Sequence, residues 1–203
     1  MDDTRLLVKR AQNNDLGAFE KLVGLYQNKV YALCVHLAGN HADAQDLAQE
    51  ALIRAFKSLG SFRNEADFGT WLHRITVNVW LNFCRKNKGI VQLSLDDPYI
   101  DGSGGEVRRE VAGTDGDPLQ ELEDKEFRRL VRTALDDLSG EHRAVLVLRD
   151  IEGYSYEEVA QMVDCSLGTV KSRLSRAREM MRRRMIELAR DAGERLPAEW
   201  ERR

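Results

Sequence analysis

The chain runs 97 residues before its first proline, and Pro98, Pro118 and Pro197 are the only three in 203 residues. Proline removes a backbone donor and clashes with the preceding turn, so its absence leaves helices unbroken on both sides of the 98–118 region. Both stretches carry helical periodicity, with no period-two alternation and no β-branched run bounded by turns. The pattern predicts four helices in the first, near 3–13, 16–38, 42–58 and 68–87. It predicts four or five in the second, near 119–137, 141–151, 156–163 and 167–190.

Between them, "KGIVQLSLDDPYIDGSGGEVRREVAGTDGDP" (88–118) concentrates Gly, Asp and two of the prolines and reads as a linker. Charge sharpens that division. Residues 1–95 carry 12 cations and 9 acids, residues 96–126 carry 3 and 11, and residues 127–203 carry 16 and 14. The net charge of −3 therefore hides two mildly basic ends around a strongly acidic middle, whose self-repulsion favours an extended chain. The fold class is all-α: two small helical domains, 1–87 and 119–186, joined by a flexible acidic linker, with a tail at 187–203.

Apolar residues make up 42% and charged residues 32%, which suits a packed, soluble chain. No apolar run approaches the roughly 18 residues of a membrane span, and the acidic start "MDDTRLLVKR" does not read as a signal peptide. A cytoplasmic location is expected. Cys34, Cys84 and Cys165 are widely spaced, with no C-x-x-C pair, so they read as small buried hydrophobes and not as a disulfide framework or a zinc site. His36 and His41 near Cys34 fit no common ligand spacing, so no metal is expected.

The segment "SYEEVAQMVDCSLGTVKSRLSRAR" (155–178) is the most specific local signal. Ser155 and Glu158 form a capping box, Val159, Met162 and Val163 supply an apolar face, and Ala160 is small where a second helix crosses. Asp164 sits at the turn, where Asp tolerates a left-handed backbone, and Ser166 caps the next helix. There Val170, Leu174, Ala177 and Met181 recur at spacings of 4, 3 and 4 and form an inward seam. Ser172, Ser175 and Arg176 point away, and Lys171, Arg173 and Arg178 flank the seam. Seven cations against one acid, Glu179, lie between 171 and 184. A short helix, a tight turn and an exposed cationic helix describe a helix-turn-helix, whose second helix enters the major groove.

Two earlier helices carry further candidates. In "DAQDLAQEALIRAFK" (43–57), Ala48, Ala51, Leu52 and Ala55 make a core side. Asp43, Asp46, Glu50, Arg54 and Lys57 line another, with Gln49 and Ile53 beside them. That face suits a protein interface or simple solvation. In "TWLHRITVNVWLNFCRK" (70–86), Leu72, Val77, Val79, Trp80, Leu81, Phe83 and Cys84 spread apolar surface widely. Trp71, Arg74, Asn78, Asn82 and Arg85 form one donor-rich stripe. Donors beside an aromatic plane suit unstacked bases, and the preceding loop "SFRNEAD" (61–67) could pocket one.

Taken together, "DAQDLAQEALIRAFKSLGSFRNEADFGTWLHRITVN" (43–78) and "YSYEEVAQMVDCSLGTVKSRLSRAR" (154–178) resemble the extracytoplasmic-function group of bacterial sigma factors, over roughly 15–87 and 120–183. The resemblance implies sigma domain 2 in the first half, sigma domain 4 in the second, and a linker in place of domain 3. It implies that Asp43, Asp46, Gln49, Glu50, Ile53 and Arg54 dock on core RNA polymerase. Arg63, Asn64, Asp67, Trp71, Arg74 and Asn78 would open the −10 element and capture a flipped base. Lys171, Ser172, Arg173, Ser175 and Arg176 would read the −35 element. The acidic linker would thread toward the polymerase channels and mimic nucleic acid. Asp164, where many such motifs have Gly, is a mild departure.

The expected partners are core RNA polymerase, promoter DNA and an anti-sigma factor, which in this family is often membrane-bound. No cofactor, small-molecule substrate or catalysis is expected, and the free chain would be a monomer. The alternatives are a helix-turn-helix activator acting without core polymerase, which leaves the 43–57 helix and the Trp71 stripe unused, and an enzyme. For an enzyme the chain offers no phosphate-cradling Gly loop, no HExxH and no nucleophile–base signature.

Overall fold

The structure is a computed structural model. It describes residues 2–63, 66–91 and 118–193, and the side-chain surroundings of 3–63, 66–87 and 126–193. Its elements are α1 (Asp2–Gln12), α2 (Leu16–Ala38), α3 (His41–Ser58), a 3-10 turn (Leu59–Ser61), α4 (Phe68–Val91), α5 (Pro118–Asp136), α6 (Gly140–Leu146), a π-helical turn (Val147–Ile151), α7 (Tyr156–Met162) and α8 (Leu167–Ala192). No strand occurs among the described residues, in agreement with the all-α reading.

Boundaries follow local chemistry. The Asp15 carboxylate accepts from the Ala18 N–H at 3.0 Å and starts α2, and Asn40 Oδ1 accepts from the Asp43 N–H at 2.9 Å and starts α3. Gly39 separates those helices in the left-handed conformation, φ 77°, which costs glycine no Cβ clash. The expected 141–151 helix is really α6 followed by a wider turn: the Glu152 N–H reaches back to the Val147 carbonyl and the Tyr154 N–H to that of Leu148. Gly153, φ 78°, then turns the chain so that Tyr154 points back toward α4. Most of the expected linker lies outside the described residues. At its edges α4 runs on to Val91, and α5 begins at Pro118, a residue suited to a first helical turn. The expected tail starts inside α8, which continues to Ala192; residues 194–203 lie outside the described residues.

The first half buries Val8, Leu22, Val30, Leu33, Leu37, Ala51, Leu72 and Val77 between α1, α2, α3 and α4. The second buries Leu130, Ala134, Val145, Leu148, Val159, Met162, Val170, Leu174 and Met185 between α5 and α8. Ala48, Ala51 and Ala55 face the core as their spacing predicts, and Leu52 packs at its edge. Cys34 is a buried hydrophobe whose thiol is pushed up to about 12 by desolvation. Cys84 and Cys165 are only half-buried.

The two halves are packed on each other. Arg143 of α6, 4% exposed, donates from Nη1 to the Leu37 carbonyl at the end of α2 at 2.8 Å and from Nη2 to Asp136 at 2.9 Å. Its guanidinium lies 5.6 Å from the centre of a Trp80 ring, and the indole N–H of Trp80 donates to the Gly140 carbonyl at 3.3 Å. A Cβ on Gly140 would stand 2.6 Å from the Cys84 Sγ, so glycine is what admits α6 this close to α4. Tyr154 and His73 Nδ1 share a hydrogen bond of 2.8 Å, and His36 meets Glu152 at 3.2 Å.

Replacing Arg143 by Ala strands the Leu37 carbonyl and frees Asp136. Denaturant titration should show a loss of roughly 1–3 kcal/mol; an unchanged midpoint would mean water replaces the guanidinium without cost. Burial holds the His73 imidazole below its ordinary range, ahead of the opposing pull of Glu152. The unfolded chain then binds the proton more readily than the folded one, so this contribution is complete above about pH 6.5 and is lost as pH falls below it. Thermal melts between pH 7.5 and 5.5 should show a shallower decline for His73→Phe than for the native chain.

Candidate nucleic-acid and protein interfaces

The helix-turn-helix is built as its sequence predicts. The Ser155 hydroxyl accepts from the Glu158 N–H at 3.2 Å and the Glu158 carboxylate accepts from the Ser155 N–H at 2.8 Å, which closes the capping box. Asp164 occupies the left-handed turn at φ 51°, and Ser166 Oγ accepts from the Thr169 N–H at 3.1 Å to start α8. Val159 and Met162 of α7 and Val170, Leu174, Ala177, Met181 and Met185 of α8 are buried, which fixes the rotation of α8.

That rotation leaves Lys171, Ser172, Ser175 and Arg176 exposed on one face. Arg176 has no ion-pair partner among the described residues. Arg173 behaves differently. It is half-buried and its Nη2 meets Glu141 of α6 at 2.6 Å. Arg178 is held bidentately by Asp150 at 2.9 and 2.6 Å. One residue the sequence reading passed over organises this region. The ring of Tyr156 has the Arg149 guanidinium at 4.9 Å and the Lys171 ammonium at 6.0 Å from its centre. Tyr156, Lys171, Ser175, Arg178 and Arg182 line one groove of about 520 Å³ beside α8. An aromatic followed at i+15 by Lys, across a capped turn, was the available signal.

On α3, Asp46, Gln49 and Ile53 are exposed, while Asp43, Glu50 and Arg54 are half-exposed. Arg54 Nε donates to Glu50 at 2.6 Å, and Asp43 accepts from the Asn40 amide at 2.8 Å, so part of the acidic face is internally satisfied. The apolar component is larger than Ile53 alone. Phe56 is 46% exposed and Ile53 41%, and the Phe56 ring lies 4.9 Å from that of Phe19 on α2. Phe56 follows Ile53 by three residues, a helical neighbour that the sequence pattern contained.

The stripe on α4 is divided between several surroundings. Trp71 is half-buried in an aromatic cluster, 4.9 Å from Phe62 and 5.5 Å from Phe68, with one side left open. Arg74 is exposed. Asp67 accepts from the Gly69 N–H at 2.8 Å and so helps to start α4, and Arg63 is exposed in the loop before it. Asn64 lies outside the described residues. Arg85 donates to the Asn82 side chain at 2.9 Å. Half-buried Asn78 and exposed Arg85 line a cavity of about 330 Å³ that Cys84, Glu141, Cys165 and Arg173 also line. The expectation that the whole stripe meets solvent or ligand is therefore met in full at Arg74 and Arg85, while Trp71, Asn78 and Asn82 are half-buried.

Two family descriptions match the chain in order: sigma-70 region 2 over residues 22–90 and sigma-70 region 4 over residues 128–181. The chain is 37% identical over 182 residues to the ECF RNA polymerase sigma-E factor of Haemophilus influenzae, covering 90% of this chain and 95% of that protein. It is 37% identical over 190 residues to the sigma-E factor of Escherichia coli, covering 92% and 96%. It is 32% identical over 193 residues to the ECF sigma factor SigW of Bacillus subtilis, covering 89% and 96%. Among solved structures, it is similar to the sigma factor RpoE in complex with the anti-sigma factor NepR from Bartonella quintana. The TM-score there is 0.61 and the identity 29%, over 82% of this chain and 96% of that one. CnrH, solved with the cytosolic domain of CnrY, shares the fold at a TM-score of 0.58 and 23% identity, over 88% and 94%. Two region matches in sigma order and relatives aligned over almost their whole length place the chain in the extracytoplasmic-function group of sigma-70-family RNA polymerase sigma factors.

Proposed function

We propose that this sigma factor directs promoter-specific initiation through three surfaces in named roles. The observation that carries the reading is their coexistence in one chain: an exposed cationic face on a capped helix-turn-helix, an apolar-acidic face on α3, and half-buried Trp71 with exposed Arg74 on α4. An activator needs only the first, and the described contacts of the α3 face leave Asp46, Gln49 and Ile53 exposed.

In this reading the N-terminal turns of α8 enter the major groove at −35. Lys171, Ser172, Ser175 and Arg176 reach bases or phosphates, and the Tyr156 groove, with Arg178 and Arg182, seats a phosphate run alongside. Arg173 joins them once Glu141 releases it. On α3, Ile53 and Phe56 supply the desolvated centre of the polymerase interface, and Asp46, Gln49 and Glu50 form its polar rim. Trp71, backed by Phe62 and Phe68, offers a rigid edge for an unstacked −10 base. Arg63 and Arg74 hold the adjoining backbone, and Asn78 joins when α4 is uncovered. Asp67 acts mainly by fixing the start of α4. The chain performs no catalysis of its own and works in the cytoplasm. An anti-sigma factor restrains it, as NepR is found with RpoE.

Purified chain mixed with core RNA polymerase on a supercoiled promoter library should initiate at a defined promoter class. Sequence-specific binding without core, and no initiation with it, would instead indicate the activator. Arg176→Ala should weaken −35 selection by about 1–3 kcal/mol if the side chain contacts a base; unchanged promoter choice removes it from that role. Because Ile53 is exposed, Ile53→Asp should leave the melting curve unchanged and weaken core binding about tenfold or more, roughly 1.4 kcal/mol. Titration of labelled chain with core measures this.

A further inference from the structure

A primary amide nitrogen carries two N–H donors, and that of Gln12 directs both at one short stretch of backbone. Its Nε2 donates to the Leu59 carbonyl at 3.0 Å and to the Phe62 carbonyl at 2.8 Å. Two carbonyl acceptors also settle which end of the amide faces them, since the amide oxygen serves neither. These carbonyls bracket the 3-10 turn Leu59–Ser61, and Phe62 is the last residue before Arg63 and the loop that leads to α4. We propose that Gln12 is a positioning residue for selection of the unstacked −10 base. It fixes where the chain enters that loop and where the Phe62 ring stands behind Trp71. The proposal rests on the assignment of Trp71, Arg63 and Arg74 to the −10 strand.

The end of α1 is built to hold that amide still. Leu7, Val8 and Ala11 are buried and set the rotation of the helix. The chain then turns sharply. Asn14 takes the left-handed conformation at φ 65°, and the Asp15 N–H reaches back to the Arg10 carbonyl. Two nitrogens of the Arg10 guanidinium hold the Asp15 carboxylate at 2.8 and 2.7 Å. On the receiving side, the Leu59 carbonyl also accepts from the Phe62 N–H at 3.1 Å, so the turn is closed on itself as well as tied to α1. Phe62 carries the consequence toward the site. Its buried ring lies 4.9 Å from Trp71 and 5.8 Å from Phe68, and Phe68 meets Tyr26 of α2 edge-on at 5.1 Å. Where the chain leaves the loop it is anchored separately, by Asp67 on the Gly69 N–H. Gln12 therefore secures the entry and Asp67 the exit. Groups that are held in place before a base arrives discriminate better than groups that must be ordered by it. Gln12 is the part of that support that comes from outside the α3–α4 region, 47 and 50 residues before the carbonyls it binds.

A ratio of affinities separates positioning from stability. Full-length chain with core polymerase is titrated with fork-junction DNA from a promoter at which it initiates, the −10 non-template strand left unpaired. The titration is repeated with the single-base variants of each unpaired position. Both affinities in a ratio come from one preparation, so a fall in the folded fraction leaves the ratio unmoved. The native chain should prefer one base by about tenfold at one or more unpaired positions. Gln12→Met keeps the length of the side chain and removes both donors. It should reduce that preference by about fivefold, the equivalent of one hydrogen bond, and leave the −35 preference and core affinity as in the native chain. Gln12→Glu, which keeps the shape and has no donor when ionised, should lose as much. An unchanged −10 ratio in either variant, or an equal fall in the −35 preference, would overturn the proposal. If the native chain itself shows no base preference at unpaired positions, the base-capture reading fails and takes this role of Gln12 with it.

Discussion

A guanidinium taken out of water needs compensation from several directions, and Arg143 receives it from both halves of the molecule. Leu37 offers an otherwise unfilled carbonyl at the end of α2, Asp136 a carboxylate, and Trp80 the face of its ring. Two of the three come from the first half and one from the second. The position of α6 on α2 and α4 is therefore set by one charged side chain that neither half could bury alone. The Asp136 carboxylate stays half-exposed, so its share of the attraction is screened. The directional bond to Leu37 and the fit of Gly140 against Cys84 define the geometry more sharply.

The same α6 also governs the DNA-reading helix. It packs against α8, and its Glu141 reaches Arg173. The π-helical turn that follows supplies Asp150 to Arg178 and Arg149 to the Tyr156 ring. Cations that a composition count treats alike are thus sorted by their neighbours. Arg178 is orientated, Lys171 lies against an aromatic face, Arg173 is engaged, and Arg176 is open to solvent. Presentation of a basic helix depends as much on the acids that hold some of its side chains as on the seam that sets its rotation.

What was legible in the sequence follows the range of the interaction. Capping boxes, apolar seams and the left-handed Asp164 are local, and the caps, turn and inward seam of the helix-turn-helix were readable. The α4 stripe was correctly seen as one face, but Gly140 and Glu141, which share a cavity with its Asn78, lie some 60 residues along the chain, and no periodicity encodes that. Trp80 read as one apolar residue among seven, yet its environment comes from Gly140 and Arg143. Tyr154 and His73 are 81 residues apart and carry no joint signal. Phe56 was missed for a different reason. A conspicuous acidic pattern drew the reading of α3 toward charge, when the exposed Ile53–Phe56 pair was present at helical spacing.

The wide spread of apolar surface on α4 can now be understood. A helix apolar on most sides belongs at the centre of a bundle, and α4 is central only because two cores meet on it. Leu72 and Val77 face the first, and Trp80 faces α6. If the halves separate, Trp80 returns to water. Burial of one large apolar side chain is worth about 1.5–3 kcal/mol, and each exchanged hydrogen bond about 0.5–1.5. The joint between the halves therefore contributes several kcal/mol to the packed arrangement.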